Sequence, residues 1–180
     1  MKIPLSKLKA MVLFFACNTD KRLLGKTKLM KLFYFTDFGH VKEYGSPITW
    51  DNYVKLEHGP VPTVIKNMVD SVEDDVDNSF LSDTISIEKS EGNYLYRIVP
   101  LRNFTENDKK YFSEDELSTM KNVCLRFGDK NTKEIVDASH KESAWTQSRP
   151  FQDISYSLAT EDSDCKVSKE DIELLLKIYG

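Results

Sequence analysis

The sequence predicts an α+β fold: a mostly helical single domain around a buried central helix, with a small β-hairpin. Two observations carry this. The stretch from Thr27 to Glu43 is apolar on nearly every side of a helical wheel, as only an enclosed helix is. The stretch from Thr84 to Val99 is the clearest strand signal, because it alternates, turns and returns.

The elements follow in order. Ser6 is placed to cap a first helix reaching about Cys17, with Leu8, Met11, Val12 and Phe15 on one face. A polar connection, Asn18 to Gly25, leads to the second helix, which Gly45 is placed to stop. Ser46-Pro47 reads as a turn, Ile48 to Glu57 as an extended run, and Gly59-Pro60 as a break. Pro62 suits the first position of a third helix reaching Val72, whose apolar side is Val64, Ile65, Met68 and Val69. Asp74 to Asp83 is acidic and reads as a surface loop. Thr84 to Glu88 and Tyr94 to Val99 form the hairpin around Ser90-Glu91-Gly92-Asn93. Ser113 with Glu116 is a capping box for a helix ending at Gly128. Shorter helices follow at Thr132–Ser139 and within Glu142–Gln147. Ser168 with Asp171 caps the last helix, whose face is Ile172, Leu175, Leu176 and Tyr179.

At 180 residues the chain suits one domain spanning 1–180. Its net charge of −4 gives no footprint for nucleic acid, although lysines crowd the first third and carboxylates the later part. The three cysteines, Cys17, Cys124 and Cys165, are too widely spaced for a zinc motif or disulfide framework. Cys17 and Cys124 read as small core residues. The apolar run from Met11 to Cys17 is too short to span a membrane, and no signal peptide is evident. The expected compartment is the cytoplasm, and no cofactor or metal is implied.

Three features stand out. In the second helix, Lys28, Lys31 and Asp37 lie among aromatic residues. Lys31 falls between Phe35 and Phe38, and Asp37 near Met30 and Phe33. Either Lys31 snorkels outward and Asp37 bridges a neighbouring element, or these charges meet a ligand. In His58-Gly59-Pro60-Val61-Pro62, a rigid turn leads into a helix whose free N–H groups can receive an acidic group. His58 then either bonds to nearby backbone or serves binding. In the segment from Ser139 to Trp145, His140 ends a helix whose dipole favours its protonated form, and Trp145 is either a core anchor or a contact residue. There is no GxSxG, HExxH, P-loop or GxGxxG motif, so no catalytic residue is assigned. An acid–base site of Asp37, His58 and His140 remains an alternative.

In this order the three features resemble the Panacea domain, the SocA-like antitoxin family whose members have also been described as phage-associated GepA-like proteins. Lys28, Lys31, Leu32, Tyr34 and Asp37 match its K-x-x-K-L-x-Y-x-x-D block. Gly59, Pro60, Val61 and Pro62 match its G-P-V block, and His140 and Trp145 match its H-x-x-x-x-W block. The turn residues Gly45 and Pro47-Ile48 also fit, and the similarity is strongest over 5–150. Glu57-His58 departs from the aromatic or small residue usual before the glycine. The resemblance implies an antitoxin that binds a cognate protein toxin, in some relatives as an adaptor to an ATP-dependent protease. It places the shared site at Lys28, Lys31, Tyr34, Asp37, His58, Gly59, Pro60, Val61, His140 and Trp145. No added helix-turn-helix is seen, so DNA-binding autorepression is not implied. A phage-associated scaffold without a toxin partner is the other alternative. The hairpin and the acidic loop are where partner specificity is expected.

Overall fold

A computed structural model describes residues 3–89 and 96–180. Helix α1 (Leu5–Asn18) starts after Pro4, whose ring presets the backbone, and makes no side-chain cap. Ser6 is therefore inside the first turn and is not the cap its residue type suggested. The expected face of Leu8, Met11, Val12 and Phe15 is buried, but so are Ala10, Leu13, Phe14 and Ala16. Helix α2 (Lys26–Tyr44) ends at Gly45, which takes φ 83°, and its N–H bonds to the Val41 carbonyl at 2.8 Å. A residue with a Cβ is strained at that angle.

Strand β1 (Tyr53–Leu56) pairs antiparallel with β2 (Gly59–Pro62), in register Val54↔Val61 and Leu56↔Gly59. The expected break at Gly59-Pro60 is thus a strand, and the turn is Glu57-His58. Two prolines fit because of register. The Lys55 N–H donates to the Gln152 carbonyl at 3.0 Å, so Lys55 bonds away from β2. Pro60 faces Lys55, and Pro62 faces Tyr53, at the alternate pairs where β2 would aim its own N–H groups outward. The edge therefore offers no donor at either proline, which blocks further strand pairing.

Helix α3 (Thr63–Asp74) begins one residue later than expected, with Pro62 as its cap. Ile65, Met68, Val69 and Val72 are its buried face, whereas Val64 is exposed. The Asp74–Asp83 stretch is not wholly a surface loop. It holds a 3₁₀ turn at Val76–Asn78, and Ser79 and Leu81 after the turn are buried. The second hairpin is β3 (Ile85–Lys89) and β4 (Tyr96–Pro100), in register Ile85↔Pro100. Its expected turn at Ser90–Asn93, with Tyr94 and Leu95, lies outside the described residues.

A short helix α4 (Glu106–Lys109) was not expected; Thr105 and Asp108 box its start, and Arg102 grips Asp108 through both nitrogens at 2.7 and 2.8 Å. Helix α5 (Glu114–Phe127) carries the Ser113–Glu116 box, and α6 (Thr132–Ser139) a third box from Asn131 and Glu134. Helix α7 (Ser143–Thr146) is one turn, and β5 (Asp153–Ile154) pairs with the free side of β1. A 3₁₀ segment (Tyr156–Glu161) precedes α8 (Lys169–Tyr179). On α8 only Ile172 is fully buried; Leu175 and Leu176 are half-buried and Tyr179 is exposed. Cys17 and Cys124 are half-buried at the margin rather than within the core.

More than half of the chain is helical, and α2 lies at the centre. It packs against α1, α3, α5, α6, β2, β4 and the Tyr156–Glu161 segment. Among the described residues no helix is long and apolar enough to cross a membrane. The C-terminal third is tied to α2 through the nearly buried Lys42, which pairs with Glu142 at 2.6 Å and with Asp162 and Asp164 at 3.0 Å. These partners hold its ammonium well above the usual lysine range against the opposing effect of burial. Removing the cation would leave three carboxylates together, so Lys42→Met is expected to cost about 3 kcal/mol of stability in urea denaturation.

Candidate functional site

Lys28, Lys31 and Asp37 of α2 are all enclosed, and each reaches a different segment. Lys28 donates to the carbonyls of Gly128 at 2.9 Å and Lys130 at 2.6 Å, closing the loop after α5. Lys31 donates to the Pro60 carbonyl at 2.7 Å, its only hydrogen bond among the described residues. Asp37 accepts from the backbone N–H groups of Ile48 at 2.8 Å and Thr49 at 2.9 Å, and from the hydroxyls of Thr49 and of Tyr53 at 2.8 Å. Asp37 thus bridges a neighbouring element. Lys31 does not snorkel outward: it is completely covered, because β2 closes over the aromatic face that would have led to water.

Burial without a counter-ion lowers the Lys31 ammonium to about 7. Burial likewise pushes Asp37 up to about 6, against the hydrogen bonds from Thr49, Tyr53 and Ile48. Tyr34 lies between Lys31 and Asp37 on the same helix. Its ring packs on Phe35, Phe38 and Tyr53, and its buried hydroxyl has no hydrogen-bond partner among the described residues.

Gly59 takes φ 96°, and a Cβ there would lie 2.7 Å from Lys31 Cε and 2.7 Å from Ser139 Oγ. Only glycine meets both the angle and the space. His58 is exposed on the turn. The N-terminus of α3 does receive an acidic group, but it is the chain's own Asp51. Its carboxylate accepts from the N–H groups of Val64 and Ile65 at 3.0 Å and from the Thr63 hydroxyl at 3.2 Å. Asp51 escaped sequence reading; its one signal is an acid shortly before a helix whose Pro62 cap offers no side-chain acceptor.

His140 ends α6 and stacks on Trp145, with ring centroids 3.9 Å apart and planes 15° apart. The Lys55 ammonium lies 4.0 Å from the Trp145 ring centroid and donates to the carbonyls of Trp145 at 2.7 Å and Ser148 at 2.9 Å. Trp145 is therefore an anchor that ties α7 to the β1–β2 hairpin. The helix dipole does not raise His140. Its ring is held below the usual histidine range, first by burial and then by the Lys31 charge.

Lys31, Gly59, Pro60 and Ser139 meet at one point, with His140 and Trp145 beside it. Asp37 does not join them. Its oxygens are taken up by Ile48, Thr49 and Tyr53, and no hydrogen bond or ring contact links Asp37, His58 and His140 among the described residues. No group of three His, Cys, Asp or Glu residues there is placed to hold a metal. A groove of about 370 Å³ opens between α2, the β1–β2 turn and α3. Met30, Val61 and Val69 line it, Lys31 and His58 border it, and the 79% exposed Phe151 stands at its mouth.

Two outcomes are expected. Asp37→Ala would strand two buried N–H groups and two hydroxyls, at a cost of about 3 kcal/mol in urea denaturation. For Lys31, the folded value lies below the ordinary 10.5. Between these values the unfolded chain holds a proton that the folded chain lacks, so stability rises with pH from about 7 to 10.5, and this contribution is absent below about 7. The urea midpoint of the wild type should climb between pH 7.5 and pH 9.5, roughly one proton's worth more than that of Lys31→Met.

Comparison with known families gives a match. The family model described as antitoxin SocA-like, Panacea domain, matches residues 29–146, well over half of the chain. No curated protein and no solved structure matches the chain.

Proposed function

We propose that this chain, which belongs to the antitoxin SocA-like, Panacea domain family, binds and neutralises a cognate protein toxin in the cytoplasm. The family match over residues 29–146 carries the proposal, since it spans Lys31 and Asp37 of α2, the β1–β2 hairpin and the His140–Trp145 stack. The mechanism is steric occlusion of the toxin or trapping of an inactive toxin conformation. Delivery of the toxin to an ATP-dependent protease is a compatible second step.

The enclosed charges Lys28, Lys31 and Asp37 hold segments in place, so their part in toxin binding is to shape the surface. Contact falls to what is exposed. Asp74, Asp75 and Asp77 are exposed at the end of α3, beside the exposed ring of Phe80. A basic toxin face, such as one that contacts nucleic acid, complements this patch and would be steered towards it.

The test starts with growth. The adjacent reading frame is expressed alone, then with this chain. Arrest followed by rescue supports the antitoxin reading, whereas a harmless neighbour, or arrest that persists, removes it. For the patch, Asp74→Asn, Asp75→Asn and Asp77→Asn combined should slow toxin association by about tenfold at low salt. An unchanged association rate would discard the acidic patch and leave the antitoxin reading intact.

A further inference from the structure

The strand edges of this fold are not all closed. On β2 the two prolines face outward, and on β4 the Ile98 N–H donates to the Leu24 carbonyl at 2.9 Å. On β3 the register decides which groups point away from β4. The Leu101 N–H donates to the Thr84 carbonyl at 3.0 Å, so Ser86↔Val99 and Glu88↔Arg97 are the pairs that exchange ladder bonds. Ile85, Ile87 and Lys89 therefore aim their backbone groups outward. The Ile85 N–H is taken by the Leu81 carbonyl at 3.1 Å. The N–H groups of Ile87 and Lys89 have no acceptor among the described residues, and the carbonyls of Ile85 and Ile87 have no donor there. The side chains of these three residues share one face. Ile85 is buried, Ile87 is half-buried against the core, and Lys89 is exposed. Among the described residues Lys89 forms no ion pair, and its ammonium lies 5.6 Å from the Tyr96 ring centroid.

We infer that the open edge of β3 receives an extended segment of the toxin as a third strand, with an apolar residue opposite Ile87 and a carboxylate opposite Lys89. The assignment rests on the antitoxin reading for its partner and on the β3 register for its chemistry. A row of outward N–H and C=O groups at alternate residues selects extended backbone, which presents its own groups at the same spacing. A helix keeps those groups for itself. Residues directly opposite on paired strands lie on one face. The residue opposite Ile87 thus falls on the core side, and the residue opposite Lys89 meets a cation without a counter-charge, which an acid complements. The prolines of β2 deny the same docking to the other sheet, so the added strand has a defined place.

The test is residue-resolved amide hydrogen exchange, on the free chain and then with the protein encoded by the adjacent reading frame. In the free chain the Ile87 and Lys89 amides should exchange about tenfold faster than those of Ser86 and Glu88, which the ladder protects. Equal protection means that the edge is already covered and overturns the inference. In the complex the Ile87 and Lys89 amides should slow by about tenfold. A complex that leaves both unprotected overturns the inference while the antitoxin reading stands. No complex and no rescue of growth removes both. Ile87→Pro deletes one outward N–H and spares the ladder bonds to β4, and should weaken the complex by about tenfold. Unchanged affinity in the folded variant overturns the inference; if the variant does not fold, the exchange on the wild type decides. Lys89→Glu should weaken the complex by about fivefold at low salt, and unchanged affinity there overturns the carboxylate opposite Lys89.

Discussion

A helix enclosed on every side has no water to offer its charges, and much of this fold follows from that constraint. Lys28, Lys31 and Asp37 lie on α2 with no exposed surface. Each must find a partner in another segment or leave a buried charge uncompensated. Lys28 takes the loop after α5, Lys31 takes β2, and Asp37 takes the loop from Ile48 to Tyr53. Three segments distant in sequence are thereby fixed in position against one helix. Lys42, further along the same helix, does the same for the C-terminal third by gathering three carboxylates.

The clamps differ in kind. Lys42 meets full negative charges, so its cation is favoured even where it is nearly covered. Lys28 and Lys31 meet carbonyl dipoles, which stabilise an ammonium less than a carboxylate does, and burial lowers both. Lys31 and Asp37 do not neutralise each other. They are six positions apart on one helix, a rise of about 9 Å, and each is turned to its own loop. Opposite charges buried in one helix thus remain two separate sites, each tuned towards neutrality.

Local signals made most of the fold legible. The wheel of α2 announced a central helix, alternation announced the β3–β4 hairpin, and Ser113 with Glu116 marked α5. What failed was long-range. Ser6 has the chemistry of a cap, but Pro4 starts the helix first. Gly59-Pro60 has the composition of a break, but pairing with β1 makes it an edge strand on which proline is harmless. Val64 follows the helical period, but α3 turns that position to water because Asp51 fixes its first turn. At the site, the motif residues were legible and their partners were not. Nothing local links Lys31 to Pro60, or His140 and Trp145 to Lys55, because those contacts exist only once the hairpin has folded against α2.

The same geometry bears on how the proposed binding would divide between scaffold and contact surface. The motif residues are mostly covered or committed to internal bonds: Lys28 and Asp37 are sealed, Gly59 has no space beside it, and Trp145 holds Lys55. A partner cannot read groups it cannot reach. Their chemistry fixes a scaffold, above all the hairpin and the start of α3, whose outer surfaces carry few constraints. Exposed positions such as Phe80, Val64, Phe151 and the acids at Asp74 and Asp75 take part in almost none of these internal bonds. They are free to change with the partner while the clamps stay constant. Changes in the clamps should therefore act through folding and position, and changes on the outer surface through recognition.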